Sequence, residues 1–232
     1  MSPPPFRQGE TAVRPSPGPL PIPVSYDPIG NRLTAVRAGN GETYTANELN
    51  QYEQKTVPGL VALLGSANTG ATVTVNNSAV TRQGAYWYKG LAVSNTADAV
   101  YEGINIVGVR KNAGSNGVDV VTGETGNVFV AKTPEAFTYD DDGNLTRDGR
   151  FAYTWNAENR LVGVQPIVTN GTTAKLDFAY DYMGRRFSKV VSGWTNSQWT
   201  VASSNTFVYD GWNLVRELST QGTTLSTNFY CW

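Results

Sequence analysis

The sequence predicts an all-β protein: a sheet of repeated β-hairpins with a small β-sandwich-like module set into it. Three observations carry this. A short phrase, an aromatic followed by Asp or Asn, two variable residues and a closing Gly or Asn, recurs along the chain. Apolar and polar residues alternate in short runs separated by Gly, Asn and Ser, and no long apolar stretch has helical spacing. Glycine is abundant at 24 residues in 232, which suits a fold with many turns.

In chain order, residues 1–24 come first. They hold eight of the twelve prolines, including Pro3-Pro4-Pro5 and the alternating Pro15, Pro17, Pro19, Pro21 and Pro23. Such a run favours an extended, polyproline-like arm, either a linker or a strap on the surface. Residues 25–56 contain the first copy of the phrase, Tyr26-Asp27-Pro28-Ile29-Gly30, and a related piece running from Tyr44 to Tyr52.

From 57 to 135 the phrase disappears. Alternating stretches at Ala71–Val75, Ala85–Lys89, Asn105–Val109 and Asn127–Val130, punctuated by turn residues, suggest the inserted sandwich. Residues 136–232 return to the repeat, with copies at Tyr139–Gly143, Trp155–Asn159, Tyr180–Gly184 and Tyr209–Asn213. Hairpin tips are expected at Thr169-Asn170-Gly171-Thr172 and Thr220-Gln221-Gly222-Thr223.

The phrase has a physical reading. Asp or Asn accepts hydrogen bonds from the backbone just ahead of it, and the closing residue tolerates positive φ. Gly30, Gly143, Asn159, Gly184 and Asn213 are therefore expected to set the turns. Tyr26, Tyr139, Trp155, Tyr180 and Tyr209 are expected to stack between successive hairpins. In the strands entering the turns, Phe151, Tyr153 and Trp155 would share one face while Ala152 and Thr154 take the other.

The ordered succession Phe137–Thr146, Tyr153–Leu161 and Tyr180–Arg186 resembles the YD repeats of the RHS family. The resemblance covers about half the chain, residues 26–52 and 136–232. It implies a partial β-spiral, the wall of a shell that encloses or presents a secreted toxic cargo, as in bacterial polymorphic toxins and teneurins. It also implies a secreted or cell-surface bacterial location. No residues match the self-cleaving segment that follows the repeats in that family, so no autoproteolytic aspartate is carried over. The chain reads as the late portion of a larger repeat protein, or as a reduced relative of one. Its implied partners are further repeats, other copies of itself, or a toxin cargo.

Chemistry is sparse. The sequence has no histidine, which removes His-based nucleophilic sites and histidine metal sites, and Cys231 is the single cysteine, so no intrachain disulfide forms. Gly65–Gly70 lacks the lysine of a phosphate loop. Asp140, Asp142 and Asn144 place oxygen donors at alternate positions as a calcium loop does, but the spacing misses that pattern and an Asx turn is the preferred reading. No enzyme, metal or cofactor is expected.

Net charge is −1, with 16% charged residues, so no basic face for nucleic acid is implied. No signal peptide or apolar run of ~20 residues is present in these residues. Two alternatives to the shell segment remain. One is a carbohydrate- or cell-surface-binding module, using an aromatic platform at Tyr86, Trp87 and Tyr88 or at Trp194 and Trp199. The other is self-assembly into an oligomer or fibre through exposed strand edges.

Overall fold

A computed structural model of the chain describes residues 23–37, 39–167 and 174–232. The extended arm expected over residues 1–24 lies almost wholly outside them, as does the Asn170-Gly171 hairpin tip. The regular structure of the described residues is strand, apart from one 3₁₀ turn at Ser115–Gly117. In order the strands are β1 Val24–Tyr26, β2 Arg32–Arg37, β3 Asn40–Ala46, β4 Tyr52–Lys55, β5 Leu60–Ser66, β6 Thr72–Val75 and β7 Ser78–Ala79. Next come β8 Thr81–Gln83, β9 Tyr86–Ala92, β10 Val100–Arg110, β11 Val120–Val130, β12 Glu135–Ala136, β13 Thr138–Tyr139 and β14 Leu145–Arg147. The last are β15 Phe151–Trp155, β16 Leu161–Pro166, β17 Ala174–Tyr180, β18 Arg186–Thr195, β19 Gln198–Asp210, β20 Asn213–Gln221 and β21 Thr224–Phe229.

Two groups of strands are hairpins laid side by side. One sheet has the order β1-β2-β3-β4-β12 and another runs β13 to β21 in sequence, and every neighbouring pair is antiparallel. Segment 135–139 joins them. Its first half pairs with β4, the Phe137 amide donates to the Glu53 carbonyl at 2.8 Å, and its second half pairs with β14. The result is a single strip that grows by adding hairpins.

The segment between β4 and β12 forms the inserted module from two further sheets, β5-β9-β8 and β11-β10-β6-β7. Both contribute to one apolar core of Val73, Val75, Trp87 and Ile104, flanked by Leu63, Leu91, Ile106 and Val128. Alternation explains the choice of residues: Val73 and Val75 turn inward while Thr72 is exposed. Gly65 lies opposite Trp87, and a Cβ there would come within 2.4 Å of the indole. The missing side chain is what lets the ring lie flat across β5. Trp87 is therefore core and no part of an exposed platform: on a strand that alternates, the residue between Tyr86 and Tyr88 must face the opposite side.

The module leaves the strip through a narrow neck. The Asn95 side chain, 3% exposed, donates to the Val57 carbonyl at 3.0 Å and the Ala131 carbonyl at 2.8 Å, bridging the entering and leaving chains. The Thr133 amide returns to the Asn95 carbonyl, and the Val57 amide donates to Thr133 Oγ1. Glu135, placed by sequence at the end of the module, already belongs to the strip, where it pairs opposite Lys55 and forms a 2.9 Å ion pair with it.

Replacing Asn95 with Leu takes a donor from the part-buried Val57 carbonyl and from the buried Ala131 carbonyl, at a cost of roughly 1–3 kcal/mol for the buried one. Urea unfolding followed through Trp87 emission is expected to show the module opening at lower denaturant in Asn95→Leu. An unchanged midpoint would remove Asn95 from its place in the neck.

Candidate functional site

Along one edge of the strip the hairpin turns share a single construction. In residues 27–31, 47–51, 140–144, 156–160 and 181–185, the first residue's amide donates to the fifth residue's carbonyl, and the fourth residue's amide donates back to the first carbonyl. The first side chain, Asp or Asn, accepts the fifth backbone N–H at 2.7–3.0 Å. In four of these turns the same oxygen takes the third N–H at 2.9–3.0 Å. The fourth residue holds positive φ: Gly30 +96°, Asn50 +63°, Gly143 +86°, Asn159 +57° and Gly184 +82°. Each turn is preceded by a register shift, so the aromatic position is offset from the strand's alternation.

Two positions differ from the sequence expectation. The copy at 209–213 closes as a two-residue hairpin: Asp210 pairs with Asn213 and the left-handed residue is Gly211, φ +56°. One residue fewer in the loop leaves no room for the Asx bridge, so Asn213 starts β20 and does not set the turn. Conversely, Asn47–Gln51 is a full copy although Ala46 stands where the aromatic should be. Its signal was the Asn-x-x-Asn spacing, identical to that of Asn156–Asn159.

The turns are fastened to one another through the fifth residue. Asn31 Nδ2 bonds Asn50 Oδ1 in the next turn at 3.0 Å, and Asn144 Nδ2 bonds Asn159 Oδ1 at 2.8 Å. The Arg160 guanidinium lies where a Cβ on Gly184 would fall, 2.8 Å away, and Gln51 stands 3.3 Å from the equivalent point on Gly143. Arg185 pairs with Asp181 at 2.7 Å and reaches the Gly211 carbonyl. The five-residue phrase as read from the sequence ends before this residue and gives it no role.

The repeat aromatics form a second fastening. Tyr139 donates to the Tyr52 carbonyl, Trp155 to Leu145, Tyr180 to Leu161 and Tyr209 to Arg186, all at 2.8–3.0 Å. The acceptor each time is the residue that follows the previous turn. Trp232 repeats the bond on the Leu214 carbonyl at 2.7 Å. At the copy with Ala46, Tyr52 comes from the paired strand and its hydroxyl accepts the Arg32 amide. Tyr26, with no earlier described turn beside it, is 57% exposed.

These rings do not stack on each other. Successive hairpins lie two strands apart, about 10 Å, beyond the 4.5–7 Å reach of paired rings. Guanidinium groups fill the interval: Arg160 lies over Tyr180 and Arg185 over Tyr209, while Arg186 sits between Phe178 and Phe207.

The remaining candidates divide by exposure. Tyr86 is 73% and Leu64 76% exposed on the outer face of β5-β9-β8, with Tyr88 beside them. Trp194 and Trp199 face each other at the β18–β19 hairpin tip, with centroids 5.0 Å apart and edge-on. Asp140 has both carboxylate oxygens engaged by Asn144, and Asp142 is exposed. Among the described residues no group of acids, His or Cys is placed to hold a metal ion.

A cleft of about 570 Å³ lies where the module meets the strip. Its charged groups are already paired. Glu135 takes Lys55 and the Gly149 amide, Asp148 takes Tyr153 and two backbone amides, and Arg150 lies between Phe129 and Phe151. Burial, and then the bond to Asp148, push the Tyr153 phenol well above its ordinary range.

No family model matches the chain. Part of it is similar to curated proteins named tRNA nuclease WapA, from Bacillus subtilis strain 168, and tRNA(Glu)-specific nuclease WapA, from Bacillus subtilis subsp. natto. Each is 37% identical over 67 residues, 29% of this chain and 3% of the relative. The chain thus spans a small fraction of those proteins. Among solved structures, a TcdB2-TccC3-TEV crystal structure overlaps 86% of this chain and 10% of that one, at 12% identity and a TM-score of 0.21. A TcdB2-TccC3-Cdc42 structure overlaps 89% and 10%, at 14% identity and a TM-score of 0.23.

Burial works to raise the carboxyls of Asp27, Asp140 and Asp181, but bonds from Asn31, Asn144 and Arg185 and from backbone amides outweigh it and hold all three below the ordinary carboxylate range. With the folded pKa depressed, their contribution is full above about pH 4 and is lost as pH falls through the folded value. The Asn47 and Asn156 turns carry no such group. Amide NMR shifts at Met183 and Arg185 are expected to titrate below pH ~4 in the native chain and to stay flat in Asp181→Asn. Gly184→Val meets both positive φ and the Arg160 guanidinium, and is expected to lower stability by about 2 kcal/mol in urea unfolding.

Proposed function

We propose that the strip is a non-enzymatic segment of wall in an RHS/YD-repeat shell that encloses or presents a secreted toxic cargo. The observation that carries this reading is the line of like turns, each set against the next: Asn31 bonds Asn50 and Asn144 bonds Asn159, while Gln51 and Arg160 fill the space beside Gly143 and Gly184. Such a line fixes the hairpin-to-hairpin geometry with local contacts alone, so the sheet extends in one direction without needing a second layer to bury it. The buried apolar cluster of the described residues sits in the inserted module, and the strip's own buried residues, among them Ala35, Ser192, and Val164 with Pro166, form no such cluster. A single layer of this kind suits a wall.

The similarity to WapA supports the same reading, since the 67 matched residues are 3% of a much longer protein. The nuclease activity in that protein's name is not carried over, because the sequence lacks histidine and the cleft's acids are engaged by neighbours. On this reading the partners are further repeats and a cargo, and the location is outside the cell. Among the described residues no helix is long and apolar enough to cross a membrane.

A second reading rests on the exposed outer face of the module. Leu64, Tyr86 and Tyr88 form an apolar and aromatic patch that suits a glycan or a cell-surface protein, with the strip displaying it.

Electron microscopy of the whole polypeptide that carries this chain is expected to show a hollow particle with a wall one sheet thick; a solid particle would sink the shell. For the second reading, Tyr86→Ala combined with Tyr88→Ala is expected to abolish retention on a glycan array without moving the melting temperature. Equal retention by the native chain and the double variant would remove the patch from recognition.

A further inference from the structure

The outer face of the module continues past its exposed tyrosines. On β5, alternation sends Leu60, Ala62, Leu64 and Ser66 outward, and on β9 it sends out Tyr86, Tyr88 and Gly90. Leu60 and Ala62 also line the cleft between module and strip. The aromatic face and the cleft therefore share one floor, which runs about 20 Å along β5 from Ser66 to Leu60.

Tyr88 joins the two. A Cβ on Gly90 would lie 3.1 Å from the Tyr88 hydroxyl oxygen and 3.5 Å from Leu60 Cδ1. The ring thus lies lengthwise along β9 with its hydroxyl beside Leu60, a residue of the cleft, and the missing side chain at Gly90 is what admits it. Gly65 does the same for Trp87 on the inner face. A tyrosine laid flat offers its ring face, the surface that stacks against the apolar face of a sugar ring.

Charge selects the occupant. The two charged residues of β5, β8 and β9, Arg82 and Lys89, alternate to the inner side. There Arg82 donates to the carbonyls of Ala67, Asn68, Ala71 and Gly84, and Lys89 to that of Ala79. The outer face keeps neutral hydrogen-bonding groups beside its rings: Gln83 and Ser66 flank Tyr86, and Thr81 flanks Tyr88. In the cleft three carboxylates, Glu42, Glu135 and Asp148, stand against two cations, Lys55 and Arg150, which leaves one negative charge in excess. An anionic chain would meet no cation on the outer face and repulsion in the cleft.

The cleft still has hydrogen bonds to give. Glu135 and Asp148 are engaged on both oxygens. Glu42 takes the Tyr44 hydroxyl on Oε2, which leaves Oε1 open. The faces of the Arg150 guanidinium are stacked on Phe129 and Phe151, and among the described residues its N–H edge has no acceptor. An open acceptor and an open set of donors in one cleft suit hydroxyl groups, each of which both donates and accepts.

We propose that the β5-β9-β8 face and the cleft form one groove for a neutral polysaccharide, with sugar rings stacked on Tyr86 and Tyr88 and the next units entering the cleft toward Glu42 and Arg150. The inference rests on the second reading above and deepens it, naming the ligand class and adding a subsite that the exposed patch does not contain.

The test is calorimetric titration of the full chain with neutral cello- and N-acetylchito-oligosaccharides, from disaccharide to hexasaccharide, and with anionic oligogalacturonides of the same lengths. A chain long enough to occupy both subsites gains affinity from their linkage, so a neutral hexasaccharide is expected to bind about tenfold tighter than its disaccharide, and the oligogalacturonides are expected not to bind. Ala62→Arg, at an exposed position opposite Gly90, sets a long charged side chain across the path from Tyr88 to the cleft and is expected to bring the hexasaccharide down to the disaccharide level. Arg150→Met, which keeps a long chain between Phe129 and Phe151 without the N–H edge, is expected to do the same. An affinity that does not rise with length, or that Ala62→Arg leaves unchanged, while Tyr86→Ala with Tyr88→Ala still abolishes binding, overturns the groove and leaves the patch reading standing. Binding of oligogalacturonides as tight as that of the neutral chains, or no binding of any neutral chain, overturns the groove as well.

Discussion

The structure depends on one local arrangement: an Asp or Asn oxygen accepting backbone N–H groups from the residues ahead of it, closed by a residue with positive φ. A hairpin turn ordinarily leaves several inward-facing amides to water. Here a side chain takes them, and the turn becomes rigid without burial. Rigidity at the turn fixes the bulge before it, and the bulge fixes where the next aromatic meets the preceding hairpin. The register of the strip is thus set at its edge and transmitted inward, instead of being imposed by a packed core.

That division of labour accounts for the residue choices at the fifth turn position. Asn31 and Asn144 are short and bond side chain to side chain with the next turn, where Asn50 and Asn159 offer an amide oxygen. Where the next turn closes with glycine, no side chain is offered. The occupant is then longer, Gln51 facing Gly143 and Arg160 facing Gly184, and it fills the space the glycine leaves. Arginine adds something that glutamine cannot, a planar cation that lies over the following Tyr180 or Tyr209. Turn closure and spacer are therefore matched across neighbouring hairpins, so each repeat is complete only when it has a neighbour.

The recurring phrase made the turns legible, because their chemistry is local: Asp27, Asp140, Asn156 and Asp181 bond residues within four positions of themselves. The alternating runs likewise revealed the strands of the module. What sequence could not show was anything set by a residue on another strand. It offered Trp87 as a platform residue in its alternative reading because the Tyr86-Trp87-Tyr88 run does not say which face is inward; the glycine opposite, Gly65, marks the packed side, and that pairing spans 22 positions from Gly65 to Trp87. It expected the repeat aromatics to stack, since nothing in the phrase states the distance between hairpins. The shorter loop at Asp210–Asn213 was concealed by a tyrosine, an acid and a closing Asn that fit the phrase while the fold skips a residue.

The insertion itself follows from which edge carries the order. Connections alternate between the two edges of an antiparallel strip, and the Asx turns occupy one of them. The opposite edge carries loops of unrelated construction: Gly39 after β2, Asp148–Arg150 after β14, and Asn196-Ser197 after β18. The module stands at this second edge, in place of the connection between β4 and β12, two strands that pair directly. A domain can enter there because its two ends need to meet only at a strand-to-strand spacing, a separation that Asn95 maintains by bonding Val57 and Ala131 together. Placed on the turn edge, the same module would separate Gln51 from Gly143 and break the line of contacts. The strip thus keeps its regularity on one side and offers the other to variation, which is where the Trp194–Trp199 pair also stands.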